Sequence, residues 1–319
     1  MTRGATTTSD GIIKLDSRFE DGAAFMDGSF VPISEASIPI LDWGFTRSDV
    51  TYDVVHVWGG KFFRLNHHLD RFEKSLSSVR MSIPHNREDV IAILMRLMRL
   101  TQLHDAYVEI LCTRGMPPKG TRDPRKCENR FIAFAVPFVW IADDEMRERG
   151  INLHLSQFVR IPPVSVDPTA KNFHWGDMIR ALFDSYEQGC DMPVVVDLEG
   201  NIAEGPGFNV FAVKGGTVTT PGGTCLEGIT RQTALDLMAE LNVKTQVGTV
   251  SPDQLRNADE VFVTSTAGGI IPVTKVDHEP VADGSVGPVT ENLRRVYWQK
   301  LYWQKHDEGW DATPIDYES

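Results

Sequence analysis

A lysine, a glutamate, two glycine-rich turns and an arginine carry the chemistry legible in this chain. Lys171 lies in DPTAKNFHWGD, residues 167–177. An amine attacks a carbonyl only when unprotonated, and burial beside apolar groups or a second cation lowers its pKa toward that state. Pro168, Asn172, Phe173 and Trp175 are placed to wall it in; the alternative is a solvated loop lysine, one of eleven in the chain. Glu204 follows Ile202-Ala203 and precedes Gly205-Pro206-Gly207. A carboxylate that leaves a strand end into a glycine turn can approach a flat ligand closely, because glycine has no Cβ. Facing a pyridine nitrogen, it would keep that nitrogen protonated. The alternative is a plain turn carboxylate.

Gly228-Ile229-Thr230 opens an expected helix, where free N–H groups and a hydroxyl make an anion site; a Thr there also serves as an ordinary N-cap. The run Ser265-Thr266-Ala267-Gly268-Gly269 follows the strand-like EVFVT and offers a similar nest, or a simple turn. Arg71, in RLNHHLDRFEKS, can grip phosphate oxygens through paired N–H groups, or pair with Asp70 or Glu73. Adjacent His67 and His68 point different ways with no clear third ligand after them, so no metal site is expected.

These residues need elements to position them. From Ala23 to Phe63 the runs FMDGSFVPI, IPILDWGF and VTYDVVHVWGGKFFRL read as strands, with Gly59-Gly60 a hairpin turn. Leu69, Phe72, Leu76 and Val79 recur at helical spacing over 67–79, as do Ile91, Leu94, Leu97 and Met98 over 87–102. AYVEILCTR and FIAFAVPFVW read as strands joined by GMPPKGTRDPRKCEN, a loop long enough to suit function. Further strands fit INLHLSQFVR, PVVVD, FNVFAVKGGTVTTP and EVFVTST, with helices near 175–188, 230–241 and 290–302. The mixed order argues for an α+β or α/β fold and against a bundle. A charged break after Phe138 divides the chain into a small N-terminal α/β domain (1–137), a linker (138–144) and a larger C-terminal domain (145–319).

Composition narrows the class. A length of 319 residues accommodates two cores. A net charge of −12 argues against nucleic-acid binding, which needs a basic face to displace counterions. Cys112, Cys127, Cys190 and Cys225 form no CxxC pair and read as the reduced thiols of a cytoplasmic protein. The polar opening MTRGATTTSDG has no apolar signal region, and no apolar run is long enough to span a membrane.

Taken in order, GFTRSDVTYDVVHVW, AYVEILCTRG, DPTAKNFHWGD, AEGPGFNVF, GITRQT and TSTAGGIIP resemble the fold-type IV pyridoxal-phosphate (PLP) enzymes, from about Asp27 to Tyr302. That family includes branched-chain and D-amino-acid aminotransferases and aminodeoxychorismate lyase. Within it the chain looks most similar to the (R)-selective amine transaminases. The resemblance implies a C-terminal domain with a β-barrel-like core. It implies that Lys171 carries the cofactor and moves the proton between substrate carbon and cofactor carbon, with Glu204 at the ring nitrogen. Arg71, Ile229, Thr230, Ser265 and Thr266 would hold the phosphate end. Tyr52, Val54, Tyr107, Trp175 and Ala267 would line the substrate pockets, and Arg47 and Lys119 would bear on a substrate carboxylate. Pro206 stands where some relatives have Ser, and Arg47 where several amine transaminases have His. The implied reaction is a two-step amino transfer from a primary amine to a keto acid such as pyruvate, in a homodimer whose sites the neighbouring chain completes. Branched-chain or D-amino-acid transfer, the lyase reaction and a non-catalytic binding role are the alternatives.

Overall fold

The computed structural model describes residues 6–7, 13–14, 16–303 and 312–318. It divides into two compact units, residues 1–139 with 309–319, and residues 140–308. The division read from sequence instead places the C-terminal tail with the second half.

In the first unit, Thr6–Thr7 (β1) and Ile13–Lys14 (β2) pair antiparallel. Ala23–Met26 (β3) and Ser29–Pro32 (β4) form a hairpin. The segment IPILDWGF is not a strand. Pro39 has no N–H to give a ladder, and Asp42 instead caps a short helix, Trp43–Arg47 (α1), accepting from Gly44 N at 2.7 Å. Val50–Trp58 (β5) then turns into Lys61–Phe63 (β6). Gly59 (φ 54°) and Gly60 (φ 73°) both take positive φ at the tip, as a type I′ hairpin requires.

Two helices cover one face of the sheet. Leu65–Ser78 (α2) buries Leu69, Phe72 and Leu76. Arg87–Thr101 (α3) starts at a capping box, Asn86 with Asp89, and buries Leu94, Leu97 and Met98. Ala106–Thr113 (β7) pairs with β5 along its length, from Val50 opposite Thr113 to Val57 opposite Ala106. Arg130–Pro137 (β8) joins β7 to β3. Strand alternation sends Val55 and Val57 to the helices, and Tyr52 and Val54 to the opposite face with Met26, Leu111 and Ile132. Asp53 therefore shares the helix side.

The second unit opens with Asp144–Arg149 (α4), Ile151–Val159 (β9), Gly176–Glu187 (α5) and Met192–Val196 (β10). Asn209–Lys214 (β11), Thr217–Pro221 (β12), Ile229–Glu240 (α6), Lys244–Gly248 (β13) and Pro252–Arg256 (α7) follow. Glu260–Ser265 (β14), Gly269–Val276 (β15), Glu279–Pro280 (β16) and Pro288–Trp303 (α8) complete it. The sheet runs β10-β9-β15-β14-β11-β12-β13, with β16 beside β15, a half-barrel with β10 and β13 at its ends. Its core is Leu153, Val194, Val210, Val261, Val263, Ile271 and their neighbours. Buried Glu260 caps α8 from outside the helix, accepting from Val289 N (3.0 Å), Thr290 N (2.8 Å) and Thr290 Oγ1 (2.7 Å). Beyond the second unit, Ala312–Pro314 (β17) runs antiparallel to β6 and is part of the first sheet. All four cysteines are free thiols, and among the described residues no helix is long and apolar enough to cross a membrane.

Candidate active site

Lys171 sits on the segment between β9 and α5. Asp167 Oδ1 accepts from Thr169 N (2.9 Å) and Thr169 Oγ1 (2.7 Å), and Asn172 Oδ1 accepts from His174 N (2.9 Å). Two side-chain-closed turns thus bracket the lysine. Lys171 is half-buried. The expected wall is partial: Trp175 packs toward Met178, Ala181 and Val195, whereas Phe173 is 38% exposed and faces solvent.

Glu204 is buried at the mouth of a tight turn. Gly205 and Phe208 exchange backbone bonds of 3.1 and 3.2 Å around Pro206-Gly207. Proline suits the second turn position and Gly207, at φ +83°, the third. A Cβ on Gly205 would lie 2.0 Å from the Phe208 ring, so that position admits only glycine. The Glu204 carboxylate accepts from Arg160 Nε at 3.0 Å and from Leu226 N at 3.1 Å. Arg160 also donates through Nη1 to Asp177 Oδ2 at 2.7 Å. Burial outweighs Arg160, the Leu226 N–H and Lys171, which favour its anion, and leaves the Glu204 carboxyl's pKa raised. Burial lowers the Arg160 guanidinium, but Glu204 and Asp177 outweigh it and leave its pKa raised.

The start of α6 is open. Its N-cap is Gly228, with no side-chain cap bond, so Thr230 is the second helical residue and not the cap. The first-turn N–H groups have no partner within the helix. Gly228 lies against Asn209, where a Cβ would meet Oδ1 at 2.2 Å. In the turn after β14, the Ser265 hydroxyl donates to Gly207 O (2.9 Å) and accepts from Ala267 N (3.1 Å). It ties this turn to the one that follows Glu204. Ala267 O accepts from Ile141 N at 2.8 Å. Thr266 is half-buried beside them.

In the first unit, Arg87 holds both Asp70 and Glu73, the two neighbours weighed as partners for Arg71. Arg71 donates to Asp53 through Nε (2.7 Å) and Nη2 (2.9 Å), and His68 Nδ1 donates to Asp53 Oδ1 at 2.7 Å. Burial alone would raise the Asp53 carboxyl, but Arg71 and His68 hold it well below the usual carboxylate range. His67 turns elsewhere, to the Arg64 guanidinium at 3.1 Å. On the other face of β5, Tyr52 and Val54 lie with Tyr107 and the buried Glu109, the residues opposite Val54 and its neighbours on β7. The Tyr107 hydroxyl donates to Glu109 Oε2 at 3.3 Å, and burial pushes that phenol well above its ordinary pKa, with Glu109 adding to the shift. Arg47 is exposed at the end of α1, its guanidinium 4.1 Å from the Trp43 ring centre. Lys119 is exposed in the long loop.

Sequence reasoning missed Arg160, Asp177, Asp53 and Glu109. Asp177 was in view as the end of the WGD run, and Glu109 as the end of YVE. No local signal marked Arg160, whose partners come from two distant segments.

Comparison with known proteins shows the family. The profile of Amino-transferase class IV matches residues 51–276. A branched-chain-amino-acid aminotransferase of Pseudomonas aeruginosa is 31% identical over 286 residues, covering 87% of this chain and 92% of that one. A D-alanine aminotransferase of Staphylococcus haemolyticus is 28% identical, covering 86% and 95%. Among solved structures, the branched-chain amino acid aminotransferase of T.th. with pyridoxamine 5'-phosphate superposes with a TM-score of 0.86 at 28% identity, over 93% of this chain and 100% of that one.

Proposed function

Because the chain belongs to the class IV aminotransferase family, we propose that it is a PLP-dependent enzyme moving an amino group from an (R)-configured primary amine to a keto acid such as pyruvate. The residues present fit that cofactor. An uncapped helix start with the Thr230 hydroxyl suits a phosphate. A buried carboxylate and a half-buried lysine in electrostatic reach of each other suit a pyridine ring and its aldehyde. When bound, PLP supplies a carbonyl for amines and a ring that spreads negative charge from the substrate carbon.

The chain's own residues do the rest. Lys171 carries the cofactor and moves the proton at the substrate carbon, as general base and then acid. Glu204 holds a proton at the ring nitrogen. Ile229 N–H, Thr230 and Thr266 hold the phosphate, with Arg71 assigned to it from the family resemblance. Ser265, whose hydroxyl is bonded to Gly207 and Ala267, fixes the turn that bears Thr266. Holding the phosphate end fixes the ring, and much of the rate would come from that alignment. The protein works as a homodimer, and its scattered free thiols support a cytoplasmic setting.

The observation that favours a plain amine is Glu109. A buried carboxylate on the face of Tyr52, Val54 and Tyr107 repels a substrate carboxylate and tolerates an apolar group beside an ammonium. Arg47 and Lys119, the two candidate carboxylate partners, both stand exposed in the single chain. The names of the relatives favour the second reading, a branched-chain or D-amino-acid aminotransferase. The test is the visible spectrum of the protein with PLP. Bleaching by (R)-1-phenylethylamine, recovery with pyruvate and indifference to the (S)-amine support the proposal. Bleaching only by a D- or branched-chain amino acid supports the second reading. Pyruvate release from aminodeoxychorismate with no amino acceptor added points to the lyase, and a protein that never takes up PLP overturns all three.

A further inference from the structure

Arg160 and Asp177 form a buried chain of charge behind Glu204. Arg160 leaves the end of β9, and its side chain and those of both its carboxylate partners are nine-tenths or more buried. Its Nε donates to Glu204 Oε1 at 3.0 Å and its Nη1 to Asp177 Oδ2 at 2.7 Å. Asp177 is fixed in turn by Ile161 N (2.8 Å) on Oδ2 and by Met178 N (2.9 Å) on Oδ1. The guanidinium is thus shared between two carboxylates and not given to one. The triad of Arg160, Asp177 and Glu204 holds two anions and one cation, one negative charge in excess, with Lys171 in electrostatic reach beside it. Glu204 uses one oxygen for Arg160 and the other for Leu226 N, and each carboxylate oxygen retains a further lone pair.

We infer that Arg160 and Asp177 are positioning residues: Arg160 favours the Glu204 anion against burial, and Asp177, by sharing Arg160, leaves the cluster one proton short, so that the ring nitrogen of the bound cofactor carries that proton. The inference rests on the reading above, in which Glu204 faces that nitrogen. Arg160 alone would keep Glu204 charged but neutralise it, removing the pull on a ring proton. Asp177, by sharing Arg160, restores that pull. Without Arg160, burial would press Glu204 further toward taking the proton itself. The groups facing Glu204 are Arg160 from β9, Lys171 from the loop before α5, and the Cys225 thiol with Leu226 N–H from the loop before α6. Glu227 and Arg231 lie beyond Cys225. Burial, with Glu204 beside it, pushes that thiol up to about 12, so it stays neutral.

The experiment is the ¹⁵N NMR shift of the ring nitrogen in holoenzyme loaded with ¹⁵N-labelled PLP, followed across neutral pH. The wild type should hold the protonated signal throughout. Asp177→Asn and Arg160→Met should each lose it partly or lose it at lower pH, and Arg160→Met should add nothing in a Glu204→Gln background. Wild-type behaviour in both single variants, while Glu204→Gln moves the signal, overturns the inference and spares the parent reading. An unmoved signal in Glu204→Gln overturns the parent reading itself. A further shift from Arg160→Met on top of Glu204→Gln would make Arg160 a purely structural residue. If Arg160→Met does not fold, Asp177→Asn decides, since it removes a charge at nearly constant volume.

Discussion

Replacing Asp53 by Asn tests the buried charge cluster of the first unit most directly. Asp53 accepts from Arg71 Nε and Nη2, from His68 Nδ1 and from Val54 N, all between 2.7 and 2.9 Å. Its side chain is 1% exposed and that of Arg71 9%. Asn offers one acceptor oxygen where these donors need two, and it leaves the guanidinium without its counter-charge. Removing one partner of a buried pair costs about 3 kcal/mol or more. At roughly 2–4 °C per kcal/mol for a unit of this size, the melting temperature should fall by about 6–12 °C. The pH dependence fixes the cause. The folded pKa of Asp53 is depressed, so its contribution is full above the unfolded carboxylate value of about 3.9 and is lost as pH falls below it. Thermal denaturation of the two proteins should therefore show a constant deficit near neutrality that narrows in acid. Equal melting temperatures at pH 7, or a deficit that does not change into acid, would refute the reasoning.

Three further changes probe other parts. Glu260→Ala removes the side chain that caps α8 and should lower unfolding free energy by about 1–3 kcal/mol, with hydrogen exchange at Val289 and Thr290 the local readout. Gly228→Ala places a Cβ 2.2 Å from Asn209 Oδ1 and should displace the start of α6, weakening PLP retention in equilibrium dialysis at least tenfold (~1.4 kcal/mol); unchanged retention would remove this helix start from the phosphate site. Glu109→Gln should move the ratio of kcat/KM for a D-amino acid over an (R)-amine upward by about tenfold, the equivalent of ~1.4 kcal/mol, and a ratio that stays put would strip Glu109 of its proposed selectivity.

Periodic segments were legible in sequence, and irregular ones were not. The stripes of α2 and α3 gave both helices to within two residues, because one apolar face with polar flanks has a single solution. Gly59-Gly60 gave its hairpin because only glycine takes positive φ twice in succession at little strain. IPILDWGF misled because apolar content was read without the meaning of Pro39 and of Asp42 as a cap. β15 was missed because GGIIPVTKV carries Gly and Pro; Pro272 stands one residue ahead of the point where β15 begins to pair with β9. In the candidate site, Lys171, Glu204 and Thr230 each stand in a local motif that marks them in the sequence. The charge network was not: Arg160 meets Glu204 and Asp177 only after β9, α5 and the glycine turn have packed. A partner chosen by tertiary contact leaves no spacing to read.

The position of β17 sets an order on synthesis. The β6 edge of the first sheet is covered by β17, which follows the second unit in sequence, with Ile315 N donating to Gly60 O at 3.0 Å and the Tyr317 hydroxyl to Leu103 O at 2.7 Å. While the chain is being made, that first unit has every strand but one long before the second unit leaves the ribosome, and it waits with an unpaired edge. An unpaired edge is a template for other chains, so the interval is when the nascent protein is most exposed to misassembly. Deleting residues 312–318 would make that interval permanent.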